Sequence, residues 1–346
     1  MRAARAVLPA LLALLSIPPA AAAQSMPPVG IVDVYGLRTI PDTIVRRAIG
    51  IAPGAAVPDS LAAAAALARL RAIPGVDSAA IEVVCCEEGQ SILYVGIAVR
   101  GGPVLRLAPA PGGSVRLPAE VVAAGARYDS AFAAAIEAGD FEEDRSAGHS
   151  LLHFPPARRA QEALIPLASR YAARLRDVLR RSSDPAQRAR AAEVLAYHPD
   201  KRSVVPALVA AVRDPDPGVR NDVIRALAVI AVLDAARPDL RIGVPAEPFI
   251  DLVNSPVWTD RNKGVMALAA VTERRDTALL ARLRRAALPA LIEMARWKSL
   301  GHASGALLVL GRIGGMSEDE IAAAAFQRGD REAIIRAARD HAAAGG

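Results

Sequence analysis

Aromatic residues are scarce in this sequence, at 3% of 346 residues, and only Trp258 and Trp297 are tryptophans. With 53% hydrophobic residues, the core has to be built mainly from small aliphatic side chains. Such a composition favours closely packed helices over a β-sandwich. The length indicates two domains, or one domain followed by a repeat array.

Catalytic motifs are also missing. The chain contains no glycine-rich phosphate loop, no GxSxG, no HExxH and no paired metal-binding motifs, and it has five histidines in all. We therefore predict that the protein is not an enzyme, uses no cofactor and acts by binding another protein. The formal net charge of +6, with both signs interspersed, does not indicate nucleic acid as a partner.

Long hydrophobic runs are confined to the N-terminus. The run 7–17 follows Arg2 and Arg5 and precedes the small residues 21–23, which is the pattern of a secretory signal peptide. The run is too short to span a bilayer. We predict cleavage after Ala23 and an exported, periplasmic chain that does not span a membrane, with association to the outer membrane as a further expectation. An uncleaved anchor is the alternative.

The two cysteines, Cys85 and Cys86, are adjacent. Neighbouring residues in a strand point to opposite faces, so an unstrained bridge between them is not expected. Two alternatives stay open: one buried and one exposed thiol, or a strained bridge at the end of a hairpin. No CxxC spacing or helix N-terminus indicates a redox role.

Residues 29–100 predict the element order β-α-α-β-β. A strand pattern ends at Gly36, and a helix starts at Pro41. A second helix stops at Pro74-Gly75. The last two strands, in which apolar residues alternate, are joined by a hairpin loop at 87–90.

This segment resembles a POTRA domain, the polypeptide-transport-associated module. The resemblance is carried by Gly36 after the first strand, the Ile40-Pro41 helix start, the turn at Gly54 and the sequence Ile73-Pro74-Gly75-Val76. It implies a domain that holds extended peptides by adding a strand to the sheet edge. It also implies an outer-membrane barrel or an assembly factor as partner, although no barrel follows here. A generic α/β domain that packs on the rest of the chain is the alternative.

A Pro- and Gly-rich linker, 101–117, separates this domain from a helical lead-in, 118–183. Within the lead-in we interpret the acidic run Glu142–Asp144 as a solvated loop. His149 and His153 are four residues apart, a spacing that on a helix could hold one metal ion. The flanking glycine and prolines argue against a regular helix there.

Internal repetition is the strongest pattern in the chain. The segment 220–230 matches 261–271 without a gap, an earlier copy covers 188–198, and a weaker copy ends at 309–311. We predict an α-solenoid over 184–316, followed by capping helices over 317–346. Ser317 and Glu320 predict a capping box at the start of that last segment.

The repeats resemble the HEAT-repeat family, including its phycobilisome-lyase-like variety. Asp184-Pro185 and Asp216-Pro217, each followed by the repeat arginine, carry the resemblance. It implies that Arg188, Arg220 and Arg261 are structural and bond to neighbouring turns. A lyase role by analogy is disfavoured by the predicted export and by the lack of a suitable cysteine.

The stretch 249–260 departs from the repeat and contains Trp258. An exposed Trp258 would anchor a partner, whereas a buried one would fill the gap left by the insertion 235–248. We favour burial, and we expect Trp297 to line the inner face of the solenoid. The predicted binding residues are Asn254, Trp258, Asp260, Lys263 and Trp297. Charge changes at Asp260 or Lys263 are expected to weaken a partner without unfolding the array.

The sequence therefore predicts a mainly α protein with a small α/β POTRA-like domain and a C-terminal HEAT-like α-solenoid. Its predicted function is that of an exported interaction scaffold of the cell envelope. A protein or an extended peptide would bind the solenoid face and the sheet edge. The alternative is a hydrolase or metal-binding protein with a site near His149 and His153, or near Asp251 and Asp260.

Overall fold

The structure is a computed structural model that describes residues 26–103, 105–140 and 142–344. The predicted signal segment, 1–23, lies outside the described residues. The fold is mainly α-helical, with a small three-stranded sheet at the N-terminus and a stack of helices behind it, as the sequence predicted. None of the described helices combines the length and the apolarity that a membrane crossing requires.

The N-terminal unit consists of three strands and two helices: β1 (Val29–Tyr35), α1 (Asp42–Ile49), α2 (Ser60–Arg71), β2 (Val76–Glu87) and β3 (Gln90–Val99). The predicted element order is confirmed. The sheet order is β1-β3-β2, with β1 parallel and β2 antiparallel to β3. One face of the sheet packs on the two helices through Val45, Ile49 and Leu70. Asp59 caps α2 by accepting from the Ala62 amide.

The two cysteines lie where the pairing of β2 and β3 shifts register, between Val84 and Glu87. Both side chains are exposed, and the structure joins them by a disulfide across a cis peptide. Their position at the end of the hairpin corresponds to the second of the two alternatives.

The segment between sheet and repeats contains α3 (Ala119–Ala138), a two-strand hairpin of β4 (Glu143–Asp144) and β5 (Leu151–Leu152), α4 (Pro155–Glu162) and α5 (Leu164–Arg170). The predicted helix start is confirmed, because Pro118 is the N-cap of α3. The linker before it is extended and is fastened to the helices. The Gly113 amide donates to the Arg181 carbonyl oxygen, and the Ser183 amide donates to that of Gly113.

The repeat region is built from nine helices: α6 (Ala172–Arg181), α7 (Pro185–Ala196), α8 (Lys201–Ala211), α9 (Pro217–Ala236), α10 (Glu247–Leu252), α11 (Trp258–Val271), α12 (Thr277–Ala286), α13 (Leu288–Ala295) and α14 (Leu300–Ile313). Helices α7, α9, α11 and α14 pack side by side as an inner layer, and the others cover its back. The chain then forms α15 (Glu318–Ala322), a π-helical turn (Ala323–Gln327) and α16 (Arg331–Ala344). The capping box of Ser317 and Glu320 is confirmed.

The three repeat arginines form a buried series of ion pairs between neighbouring repeats. Arg188 binds Asp214 through two bonds of 2.7 and 2.8 Å, and Arg220 binds Asp260 through two of 2.8 and 2.9 Å. Arg261 donates to Glu293 at 2.9 Å. Each arginine also donates to a carbonyl oxygen of the turn before its own helix. The structural role implied by the HEAT resemblance is therefore confirmed.

Candidate functional site

The two tryptophans lie in the junction between sheet and helices. The ring of Tyr94 stacks on Trp258 at a centroid distance of 5.0 Å and an interplanar angle of 19°. The ring of Trp297 lies 5.1 Å from that of Tyr94 and 5.6 Å from that of Tyr35. Trp258 is 7% exposed and Trp297 is 2% exposed. A chain with few aromatic residues thus concentrates several of them in one contact.

This geometry confirms the expected burial of Trp258 and corrects two details. Trp258 packs on the N-terminal sheet and does not fill the gap at the insertion. Trp297 does not line the inner face of the solenoid, because the same sheet covers it. The junction could not be predicted from the sequence, because its two halves lie far apart along the chain. Tyr94 and His302, which share a hydrogen bond, are separated by 208 positions.

Polar contacts surround the aromatic cluster. The Tyr35 hydroxyl donates to the Pro256 carbonyl oxygen at 2.9 Å. The Glu82 carboxylate on β2 accepts from the Trp258 amide at 2.6 Å, at the N-terminus of α11, where a negative charge is favoured. Asp33 accepts from the Lys298 amide at 2.8 Å. Burial raises the pKa of both carboxyl groups, while these amide bonds lower it.

Asp260 and Asn254 are occupied by contacts within the chain. Asp260 is 1% exposed, and its two oxygens accept from Arg220 and from the Ser255 hydroxyl. The Asn254 amide donates to the carbonyl oxygens of Ile250 and Ala286. Of the five residues predicted to bind a partner, Lys263 alone has its side chain on the inner face of the helix stack. A binding role for the set stays a prediction.

The inner face holds three cavities that share one wall residue, Arg225 of α9. The first, of about 60 Å³, lies between α3, α7 and α9 and is lined by Glu193 and Asp222. The second, of about 980 Å³, is an open groove beside the C-terminal end of α3. The third, of about 60 Å³, lies between α9 and α11. Together they form one surface across α3, α7, α9 and α11.

The hairpin of β4 and β5 closes one side of this surface and corrects an expectation. Glu143 is only 7% exposed at its side chain, and it binds Arg225, Arg145 and the Ser150 hydroxyl. Glu143 is therefore docked as part of a strand and is not solvated, whereas Glu142, the first residue of the acidic run, is exposed as expected. The docking partner, Arg225, is 82 residues away in sequence, so the run's composition alone contained no signal for this contact.

Equivalent positions of successive repeats carry alternating charges on the inner face. Arg190, Asp222 and Lys263 each follow the repeat arginine by two residues. Arg190 binds Asp129 and Glu193, whereas Asp222 and Lys263 form no ion pair with any described residue. Burial lowers the pKa of Lys263, and the neighbouring Arg225 lowers it further. Burial disfavours the charged form of Asp222 as well, and therefore raises the pKa of this carboxyl group.

His149 and His153 lie in different surroundings. The Nδ1 atom of His149 is 2.9 Å from the Nζ of Lys201, which also donates to the Ala196 carbonyl oxygen. Burial, followed by the charge of Lys201, lowers the pKa of His149 to about 4, and burial lowers that of Lys201 to about 7. His153 is half exposed and lies 3.4 Å from Glu142.

Asp251 and Asp260, which the alternative hypothesis placed in one hydrolase or metal site, do not lie together. Asp251 pairs with Arg213 at the surface, while Asp260 is buried against Arg220. Among the residues that the structure describes, no group of three or more His, Cys, Asp or Glu side chains is arranged to hold a metal ion. This scatter favours the scaffold hypothesis over a site built from these residues.

A family model described as HEAT repeats matches residues 172–269, which span α6 to most of α11. This part of the chain is similar to HEAT repeats, in agreement with the stacked helices of the structure. HEAT repeats are generally a non-catalytic scaffold fold whose stacked helices offer an extended surface to protein partners. Among curated proteins, no significant match to the chain is found.

Proposed function

We propose that the protein is an interaction scaffold that binds a protein partner along the inner face of its HEAT-repeat stack. The observation that carries the proposal is the continuous surface around Arg225, where three cavities meet. Apolar side chains are exposed beside them, with Val232 at 39%, Met266 at 38% and Ile136 at 54% exposure. Apolar groups next to charged ones are typical of interfaces.

The sheet edge is proposed as a second surface. The aromatic junction covers the face of the sheet that points away from α1 and α2. Within the described residues, β1 and β2 each pair with β3 alone, so each has one edge without a strand neighbour. The resemblance of residues 29–100 to a POTRA domain supports the addition of an extended peptide at such an edge.

Export to the cell envelope is part of the same proposal. It rests on the signal-peptide pattern of residues 1–23 and on the implied partner class, an outer-membrane barrel or an assembly factor. Cell fractionation, with mass spectrometry of the mature N-terminus, tests it. We expect Gln24 as the first residue in the envelope fraction, and retention in the cytoplasm after deletion of residues 2–23. Uncleaved full-length protein in the cytoplasm would contradict the proposed location.

Site-specific photo-crosslinking in intact cells tests the binding surface. A photoreactive amino acid is placed at Val232 or Met266 on the inner face, at Asp77 on β2, and at Ala210 on the outer helix α8 as the matched exposed control. We expect the same adduct from both inner-face positions and none from position 210. Adducts from position 210 alone, or none from the inner face, would rule out this surface.

A further inference from the structure

Lys263 borders the cavity between α9 and α11, which has a volume of about 60 Å³. Two further cations, Arg145 and Arg225, stand at its edge. The other wall residues are apolar: Ala228, Val229, Val232 and Met266. No carboxylate lines this cavity, although both neighbouring cavities have acidic walls.

The three cations differ in how their charges are compensated. Arg145 and Arg225 both pair with Glu143 of the β4 strand. Lys263 forms no hydrogen bond or ion pair with any described residue. Asp222 of α9 is close enough to influence Lys263 electrostatically, yet it lines the neighbouring cavity and accepts a bond from Asn221. Lys263 is therefore the one cation of these three that has no ion-pair partner among the described residues, and it stands above an apolar floor.

A half-buried ammonium group without a partner costs free energy, which an incoming carboxylate would recover. The apolar floor would at the same time take up an aliphatic side chain. We propose that this cavity receives a carboxylate adjoining an aliphatic side chain, presented by the protein partner. The inference rests on the proposed scaffold function and assigns a ligand chemistry to one part of its surface.

The probe is N-acetyl-leucine, which joins a carboxylate to an aliphatic side chain, and the matched control is N-acetyl-leucinamide. Met266 is one of five methionines in the sequence, so its ¹³C-labelled methyl group is a resolved NMR reporter at the cavity wall. We expect N-acetyl-leucine to shift this methyl signal saturably, with the amide binding at least about tenfold more weakly. Equal shifts from both compounds would overturn the carboxylate assignment.

Lysine variants separate a local charge effect from a general one, because the chain has only three lysines, Lys201, Lys263 and Lys298. We expect Lys263→Gln to weaken N-acetyl-leucine binding at least about tenfold, while exposed Lys298→Gln leaves it unchanged. Far-UV circular dichroism checks that both variants are folded. Unchanged binding by the Lys263 variant would overturn the proposal.

The protonation of Lys263 gives a second readout, followed through ¹³C-methylated lysines. The charged groups around Lys263 are Arg145, Arg225, Asp222 and Glu143. A bound carboxylate adds a negative charge beside the ammonium group, and we therefore expect it to raise the pKa of Lys263. In the rival arrangement Lys263 already pairs with Asp222, so the probe would leave the pKa of Lys263 unchanged in the unmodified chain and would raise it only in the Asp222→Asn variant.

Failure of this inference can be distinguished from failure of the proposed function. If the probe does not bind while inner-face crosslinks persist, the cavity assignment is wrong and the scaffold stands. If the probe binds but the inner face gives no crosslinks, the carboxylate assignment of the cavity holds and the inner face is not the surface that binds the protein partner.

Discussion

At the scale of single residues, buried ionisable groups hold the hairpin of β4 and β5 in place. His149 is 6% exposed and Lys201 is 3% exposed, and their nitrogens meet at 2.9 Å. Lys201 also satisfies a carbonyl oxygen at the C-terminal end of α7, where cations are favoured. Since a protonated His149 would face this cation, the pair gives the fold a dependence on pH.

We expect acid to destabilise the fold through His149. Its pKa is about 4 in the folded chain against an ordinary 6.5, so the unfolded chain binds the proton more readily. The contribution of His149 to the free energy of unfolding is complete above pH 6.5. It decreases by up to about 3 kcal/mol as the pH falls toward 4. His149→Gln keeps an acceptor for Lys201 without titrating. Urea unfolding at several pH values should show a flatter profile for this variant.

The matched control is His153→Gln, which removes an exposed histidine four residues away. We expect its pH profile to follow that of the unmodified chain. A profile for His149→Gln as steep as that of the unmodified chain would show that His149 does not carry the dependence.

Asp260 belongs to the same scale, and here the structure changes an expectation from sequence. Asp260→Ala leaves Arg220 buried without its partner, which costs about 3–5 kcal/mol. Asp251→Ala breaks a surface pair with Arg213 and should cost less than about 1 kcal/mol. Urea midpoints of the two variants give the comparison. Similar urea midpoints for Asp260→Ala and Asp251→Ala would show that Asp260 is not structural. Asp260 would then remain a candidate for binding a partner.

At the scale of elements, the decisive contact is that of β3 with the turn before α11. Gly96 lies in β3, and a β-carbon there would overlap the Pro256 carbonyl oxygen and the Tyr35 ring. The glycine therefore allows the close approach that brings Tyr94 onto Trp258. Both tryptophans of the chain lie in this contact, so their fluorescence reports on it directly.

We expect Gly96→Ala to loosen the sheet from the helices and to destabilise the chain by about 1–3 kcal/mol. The tryptophan emission maximum should move to the red as Trp258 and Trp297 gain contact with water. Gly112→Ala in the linker is the matched control, because a β-carbon there meets nothing within 4 Å. A red shift in both variants, or in neither, would contradict the role assigned to Gly96.

At the scale of the whole molecule, sheet and helix stack share one core. Tyr35, Ile92 and Tyr94 of the sheet belong to the same hydrophobic cluster as residues of the inner helices. The second cluster, between the sheet and α1 and α2, lies on the other face of the same strands. The strands are therefore packed on both faces, which couples the stability of the N-terminal unit to that of the repeats.

This coupling predicts one cooperative unfolding transition. Far-UV circular dichroism, which reports on the helices, and tryptophan fluorescence, which reports on the junction, should give coincident thermal curves. Gly112→Ala should preserve the coincidence, whereas Gly96→Ala should separate the two curves, with fluorescence changing first. Separate curves in the unmodified chain would show that sheet and stack unfold independently.

The sequence by itself determined the elements and the architecture of the repeats. Strand and helix patterns in residues 29–100 predicted the observed order, and Ser317 marked a helix start that the structure contains. The resemblance of the repeats to the HEAT family implied that the repeat arginines are structural, which their ion pairs confirm. Local periodicity and capping are properties of a few consecutive residues, so they can be read along the chain.

Only the tertiary structure decided which surfaces are free. It turned both tryptophans toward the sheet, buried Asp260 against Arg220 and docked Glu143 on Arg225, leaving Lys263 on the inner face without a partner among the described residues. Asp260 and Arg220 are 40 positions apart in the sequence, and Glu143 and Arg225 are 82 positions apart. The periodicity of a segment shows which of its side chains are buried. Which distant residue covers them is set by how the elements pack against one another.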